Sequence, residues 1–368
     1  MIPGGAELAR RAVAAVGPDG RTPAVVVDLA TVRHNIDVTL GIVGDPARWR
    51  AHAKTARVGA VMELLTAAGV RAFKASTIGE VEALLAAGAE DVLLALPAVG
   101  PLQWRMADLA ERHPRARLSV LADDPAALAT WRPGRVGAFV DLDTGMGRTG
   151  VPVRDRSAVR RLVEALAATD VPLRGLHSYD GHLAVMPPAA RRAEVLESSR
   201  ALLELGLPVR EIVAGGSHTF ADVCATWPGD PGPLTVGAGT VVLCDGRSLE
   251  RFAVGGSPVG YRPAAAVVAR VMSVAGERAT VDAGLTVIQL DAGRPHVQVL
   301  SSEAGLEIAY PAQEHLVLRA TGASRPRPGD LVALLPRHVD TTICQVSTVL
   351  ALPESGKPAT AERVVGRH

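Results

Sequence analysis

The sequence predicts an α/β protein, a (β/α)8 barrel followed by a C-terminal antiparallel β domain. Three observations predict it. Strand-like runs alternate with Ala/Leu/Arg-rich helical stretches, eight such units follow one another, and beyond about residue 255 the helical stretches stop. The opening run, Ala24-Val25-Val26-Val27-Asp28, precedes a helical stretch from about Ala30 and can belong to either part. Eight further runs end near Lys54, Ser76, Leu96, Ala122, Asp143, Ser178, Gly216 and Gly239. Helical stretches such as 58–68, 79–87, 159–168 and 191–205 lie between them. Strand–helix repetition gives a parallel sheet, and eight units close it into a barrel. Beyond residue 255, runs at 264–274, 279–282, 296–300, 306–308, 316–320, 331–335 and 346–350 are separated only by turn residues, the pattern of an antiparallel domain. The expected division is a barrel over 22–255 and a β domain over 256–352. Residues 1–21 form a segment that could pack on the β domain, and 353–368 a tail.

Composition narrows the function. At 368 residues the chain exceeds one average domain, and 48% hydrophobic content supplies a large core. Only 3% of residues are aromatic, so that core must be Leu, Val and Ala. A net charge of +1 with no basic block argues against a nucleic-acid partner. Cys224, Cys244 and Cys344 are too few and too far apart for a disulfide framework or a zinc finger. Glu7, Arg10, Arg11 and Asp19 interrupt the first twenty residues too early for a signal peptide, and no stretch reaches the ~18 apolar residues of a membrane span. A cytoplasmic protein with no membrane partner is expected.

Lysine is scarce: of 39 lysines and arginines, only Lys54, Lys74 and Lys357 are lysine. A lysine kept at a strand end in an arginine-using chain points to a need for an amine, because a guanidinium cannot form a Schiff base. Lys54 lies in Arg50-Ala51-His52-Ala53-Lys54-Thr55, at the end of the first barrel strand, where such barrels place catalytic groups. Lys74, near the end of the second, is its competitor; the flanking His52 and Thr55 favour Lys54. Gly215-Gly216-Ser217-His218-Thr219 follows the seventh strand and Gly237-Ala238-Gly239-Thr240 the eighth. Loops after strands seven and eight form the usual phosphate site of these barrels, with small residues admitting the anion to backbone N–H groups. A lysine and a phosphate cradle in one barrel mouth imply pyridoxal phosphate. Arg148, in the turn after the fifth strand, can hydrogen-bond a cofactor ring oxygen. His177-Ser178-Tyr179-Asp180-Gly181-His182 puts several proton-competent groups at the end of the sixth. In the β domain, Pro336-Arg337-His338-Val339-Asp340 places His338 and Asp340 at i and i+2, on one side of an extended strand, where they can offer nitrogen and oxygen to one divalent metal.

Taken in order, these segments resemble the D-threonine aldolase and D-serine dehydratase family of fold-type III pyridoxal phosphate enzymes. The resemblance runs from Thr22-Pro23-Ala24 to Leu350, through 50–55, 75–82, 93–101, 143–150, 175–182, 215–219, 281–284 and 328–342. It implies an alanine racemase-like barrel and a metal such as Mn2+, Mg2+ or Zn2+, with a β-hydroxy D-amino acid as the small-molecule substrate and a homodimer as the assembly. Position by position it makes Lys54 the cofactor lysine and Arg148 and Tyr179 ring contacts. Gly216, Ser217, Thr219, Gly239 and Thr240 become the phosphate cradle, and His338 and Asp340 the metal pair. His182 or a metal-bound hydroxide is the candidate base, with His52 beside the lysine. Dehydratases of the family tend to carry His-x-Cys at the metal pair and aldolases His-x-Asp, so Asp340 favours retro-aldol cleavage to glycine and an aldehyde. A D-serine dehydratase is the first alternative, and an amino-acid racemase and a non-catalytic cofactor-binding protein are further ones. The chain departs from the family at Thr55-Ala56-Arg57, where a histidine is usual, at Ser302-Glu303-Ala304-Gly305, where Glu-Glu-His-Gly is common, and near Cys344, where an asparagine is common.

Overall fold

The computed structural model describes residues 2–128, 130–131, 134–255, 260–301, 305–354 and 357–366. The expected domain junction at 256 and the departure at Ser302-Glu303-Ala304 lie outside the described residues. By its contacts the chain divides into two compact units. One comprises Met1–Thr39, Thr55–Leu64 and Thr240–Val365, the other Leu40–Lys54, Leu65–Gly239 and Gly366–His368. Residues 22–39 and 240–255, expected in the barrel, therefore group with the β-rich unit, as does the first strand, β1 (Ala24–Asp28).

The second unit holds the barrel. Its strands are β2 (Arg50–His52), β3 (Ala72–Ala75), β4 (Asp91–Pro97), β5 (Arg117–Ala122), β6 (Gly137–Asp143), the two-residue β7 (Val151–Pro152), β8 (Leu173–Ser178), β9 (Glu211–Ala214) and β10 (Leu234–Val236). All pair in parallel, in the order β10-β9-β8-β6-β5-β4-β3-β2, with β7 beside β6. A parallel bridge between Trp49 and Val236 links the two ends of the sheet, and the Trp49 indole donates to the Ala238 carbonyl at 3.0 Å. The eight main strands are those expected from the alternation, and they form the parallel barrel the sequence implies.

Strands buried on both faces need continuous apolar runs, and β6 is buried over six of its seven residues. Leu93, Leu121, Phe139 and Val213 from four strands pack together in the interior. Gly175 on β8 makes room for this packing, because a Cβ there would collide with the Phe139 ring. Helices return the chain between strands. Thr77 caps Ile78–Ala86 by accepting from Glu80 N–H, and Asp155 caps Arg156–Ala167 by accepting from Ala158 N–H.

In the β-rich unit, β11 (Ala265–Ala275), β12 (Arg278–Val281), β13 (Val297–Ser301), β14 (Leu306–Pro311), β15 (Leu316–Ala320), β16 (Leu331–Pro336), β17 (Thr348–Leu352) and β18 (Thr360–Arg363) join β1 in one sheet. β1 pairs antiparallel with β11 and parallel with β17, so the opening strand belongs here. β18, in the stretch read as a tail, pairs with β17. The helix Gly5–Val16 lays Leu8, Ala12 and Val16 on Val26, Ala266, Val268 and Leu352 of this sheet. Its apolar residues recur at i, i+4 and i+8, a single buried stripe.

Candidate active site

Lys54 lies two residues past the end of β2, in the single turn Ala53–Thr55. It is half-buried, with its Nζ 5.9 Å from the centroid of the Tyr179 ring. The Arg148 guanidinium stands 5.1 Å from the same ring. The barrel thus brings Lys54, Arg148 and Tyr179 together from the ends of β2, β6 and β8. Tyr179 is held edge-on by two glycines: a Cβ on Gly181 or on Gly216 would meet its ring at 2.5 or 2.8 Å. Gly216 therefore serves Tyr179 packing as well as any cradle. Within the Gly215–Thr219 turn, Gly216 N–H donates to Thr219 Oγ1 at 2.9 Å, and Thr219 Oγ1 donates to Asp180 at 2.7 Å. Gly239 N–H donates to Ser217 Oγ at 3.1 Å, which joins the two glycine turns.

Several buried groups surround this cluster. His52 and Lys74 are register partners on β2 and β3. Burial, with the charges of Lys54 and Lys74, keeps the His52 imidazole well below its usual range. His177 Nδ1 bonds Asp141 at 2.7 Å, and Thr149 donates to the other Asp141 oxygen at 2.8 Å. Burial lowers the His177 pKa against the pull of Asp141. Burial would raise that of Asp141, but the bonds and charges of His177, Thr149 and Arg148 hold it down. His177 Nε2 and His182 Nδ1 have no hydrogen-bond partner among the described residues. A cavity of about 20 Å³, room for about one water, is lined by Asp141, Arg148, Thr149, His177 and Tyr179. Cations, orphaned imidazole nitrogens and glycine turns at one strand end fit a phosphorylated, aldehyde-bearing cofactor.

The β-rich unit carries the second set. His338, Asp340 and Asp245 offer one ligand atom each, all within 4.8 Å of one another. The first two do not share one side of an extended strand, contrary to what their spacing predicts. His338 is extended, but it caps the short helix Val339–Ile343, and Asp340 sits in that helix's first turn. The strand β16 stops at Pro336, so the pair converges through a strand-to-helix turn. Asp245 was not foreseen. Its Oδ1 accepts from Ser248 N–H and Oγ–H, an ordinary N-cap pattern, while Oδ2 accepts from Val339 N–H at 3.1 Å, between the two expected ligands. An Asp-x-x-Ser spacing reads as a cap, so the sequence hides the second contact. Burial and the Asp340 carboxylate push Asp245 up to about 6. Asp291, also unforeseen, bonds His338 Nδ1 and accepts from Thr341 Oγ at 2.9 Å, leaving Nε2 for a ligand. Thr240, expected in the cradle, places its Oγ 3.3 Å from Asp340, and Thr55 Oγ is 3.4 Å from the same carboxylate. One imidazole and two carboxylates fit a borderline or hard divalent cation.

Fold and site define the class: a barrel of the alanine racemase type with a lysine at the end of its first strand. The family described as alanine racemase, N-terminal domain, matches residues 27–227, and the chain belongs to it. A serine dehydratase domain family matches residues 264–352. The chain is 28% identical to a D-threonine aldolase of Arthrobacter sp. over 87% of this chain and 86% of that one. It is 27% identical to a D-threo-3-hydroxyaspartate dehydratase of Delftia sp. (strain HT23) over 94% and 97%. The crystal structure of D-threonine aldolase from Filomicrobium marinum superimposes with a TM-score of 0.80 at 25% identity, covering 94% of this chain and 96% of that one. The resemblance read from the ordered motifs is therefore the right one. Among the described residues no helix is long and apolar enough to cross a membrane.

Proposed function

We propose that the chain is a lyase dependent on pyridoxal phosphate and a divalent metal, cleaving β-hydroxy D-amino acids such as D-threonine to glycine and an aldehyde. The observation that carries this reading is the His338–Asp340–Asp245 donor set. A racemase working at Cα alone has no use for a hard-cation site, whereas a reaction at a β-hydroxyl does. The aldolase and dehydratase relatives support the substrate class.

Lys54 would hold the cofactor through its amine, with Arg148 and Tyr179 at the ring and Gly216, Ser217, Thr219, Gly239 and Thr240 toward the phosphate. When bound, pyridoxal phosphate supplies an electron sink for a bond broken at Cα, and the metal on His338, Asp340 and Asp245 makes the β-hydroxyl more acidic and fixes its direction. His182, with a free Nδ1, is the base for the hydroxyl proton. His52, kept neutral beside Lys54, accepts from the Lys54 backbone N–H and adds no further charge next to the amine. Asp291 fixes the His338 ring, and Asp245 ties down the peptide between His338 and Asp340. A cytoplasmic homodimer belongs to the same reading, and sedimentation checks the dimer.

The test is D-threonine with the cofactor-loaded protein and Mn2+, with and without chelator. Chelator-sensitive acetaldehyde plus glycine is expected. 2-Oxobutyrate would make the protein a dehydratase despite Asp340, and neither product would return it to the racemases or cofactor-binding proteins.

A further inference from the structure

Lys74 has no part in the reaction just described, yet its side chain is the least ordinary feature of the barrel interior. It is 2% exposed. Among the described residues it makes no ion pair. Its ammonium lies where both glycine turns begin. A Cβ on Gly237 would collide with Lys74 Nζ and stand 2.9 Å from the Gly215 carbonyl oxygen. Gly237 opens one turn and Gly215 the other, and the lack of a side chain at Gly237 is what admits the ammonium.

A buried, unpaired cation is costly, and proteins keep one where an anion arrives to compensate it. We propose that Lys74 is the cationic floor of the phosphate cradle, supplying counter-charge to the phosphate of the cofactor from beneath the two glycine turns. This rests on the cofactor reading above and adds to it a residue that the ordered motifs did not assign.

The electrostatics of the cavity agree. Burial, then the charges of Lys54 and Arg50, bring Lys74 down to about 7, against the opposing pull of Asp180 and Asp141. The imidazoles of His52 and His177, which also face it, are held toward their neutral forms. In the cofactor-free protein Lys74 is then only part-protonated at neutral pH. An arriving dianion favours the ammonium form, so phosphate binding takes up a proton.

The test compares pyridoxal phosphate with pyridoxal, which lacks the phosphate, by equilibrium binding to the wild type, Lys74→Met and Lys74→Gln. The affinity ratio of the two ligands cancels the chemistry at Lys54. In both variants the ratio should fall by about tenfold or more at pH 7, with pyridoxal affinity unchanged. In the wild type the ratio should decline as pH rises above about 7, and in the variants it should be flat. Inorganic phosphate should compete with pyridoxal phosphate more weakly in the variants than in the wild type. An unchanged ratio overturns the assignment while leaving the cofactor reading intact. Equal weakening of both ligands, with melting curves showing folded variants, assigns Lys74 to the ring or to structure instead. A wild type that binds neither ligand overturns the parent reading and this one together.

Discussion

At the N-terminal end of the barrel strands, Arg50 is 1% exposed and fully paired. Its guanidinium forks onto Glu211 at 2.7 and 2.6 Å, reaches Asp91 at 2.8 Å and caps the Phe73 carbonyl at 3.2 Å. At the C-terminal end, Lys74 is as deeply buried but makes no ion pair among the described residues, and the neighbouring His177 presents an Nε2 with no partner. Burial opposes charge equally at both ends. At the first, Glu211 and Asp91 outweigh it and raise the Arg50 pKa. At the second nothing does, and Lys74 falls to about 7. Both ends are buried, and what separates structure from function is whether the polar groups there have been given partners by the fold itself. Cavity size misleads here: a groove of about 900 Å³ lies at the paired end, lined by Asp91, Arg117, Arg174 and Glu211, while the mouth cavity is about 20 Å³. The acids of the larger one are already satisfied.

The contrast can be broken from either side. The largest effect is at the mouth. Lys54→Ala should cut turnover by on the order of 10³-fold with little change in melting temperature. Borohydride reduction of the wild type should leave the pyridoxyl mass on the Lys54 peptide, and its appearance on the Lys74 peptide would transfer the role. At the opposite end, Arg50→Ala strands the buried Asp91 and the half-buried Glu211 and should destabilise the fold by about 3–5 kcal/mol in denaturant titration. The sign reverses at the mouth. The Lys74 pKa is about 7 folded against about 10.4 unfolded, so the unfolded chain binds more protons between these values and folding carries the cost below them. Lys74→Met should therefore stabilise the cofactor-free protein at pH 7, by roughly 1–3 kcal/mol.

Acid separates the two ends further. His177 is depressed in the fold, so stability falls as pH drops through about 6.5 toward its lower folded value. His177→Gln should flatten the decline in melting temperature between pH 7.5 and 5.5. Asp91 is also held below its usual range, by Arg50 against the effect of burial. Its contribution is complete above about 3.9 and is lost only as pH falls further. The smallest effect expected is that of Arg117→Ala. Arg117 bonds Asp91 at 2.9 Å from an exposed position, and its loss should cost about 0–1 kcal/mol.

The sequence by itself determined the order of elements, because burial on both faces of a barrel strand demands apolar runs that no turn or surface helix shares. It also determined Lys54, Arg148, Tyr179, His338 and Asp340 as candidates, since strand-end position and residue type can be read along the chain. Tertiary structure decided the rest. It gave β1 to the β-rich sheet, a choice made by pairing partners more than 200 residues away. It added Asp245 to the metal set, and Asp291 behind His338, from loops whose local spacing spells caps and turns. It also placed Lys74 under the two glycine turns. In the sequence that lysine is a lesser rival of Lys54, because the burial and the lack of an ion pair that set its chemistry come from strands distant along the chain.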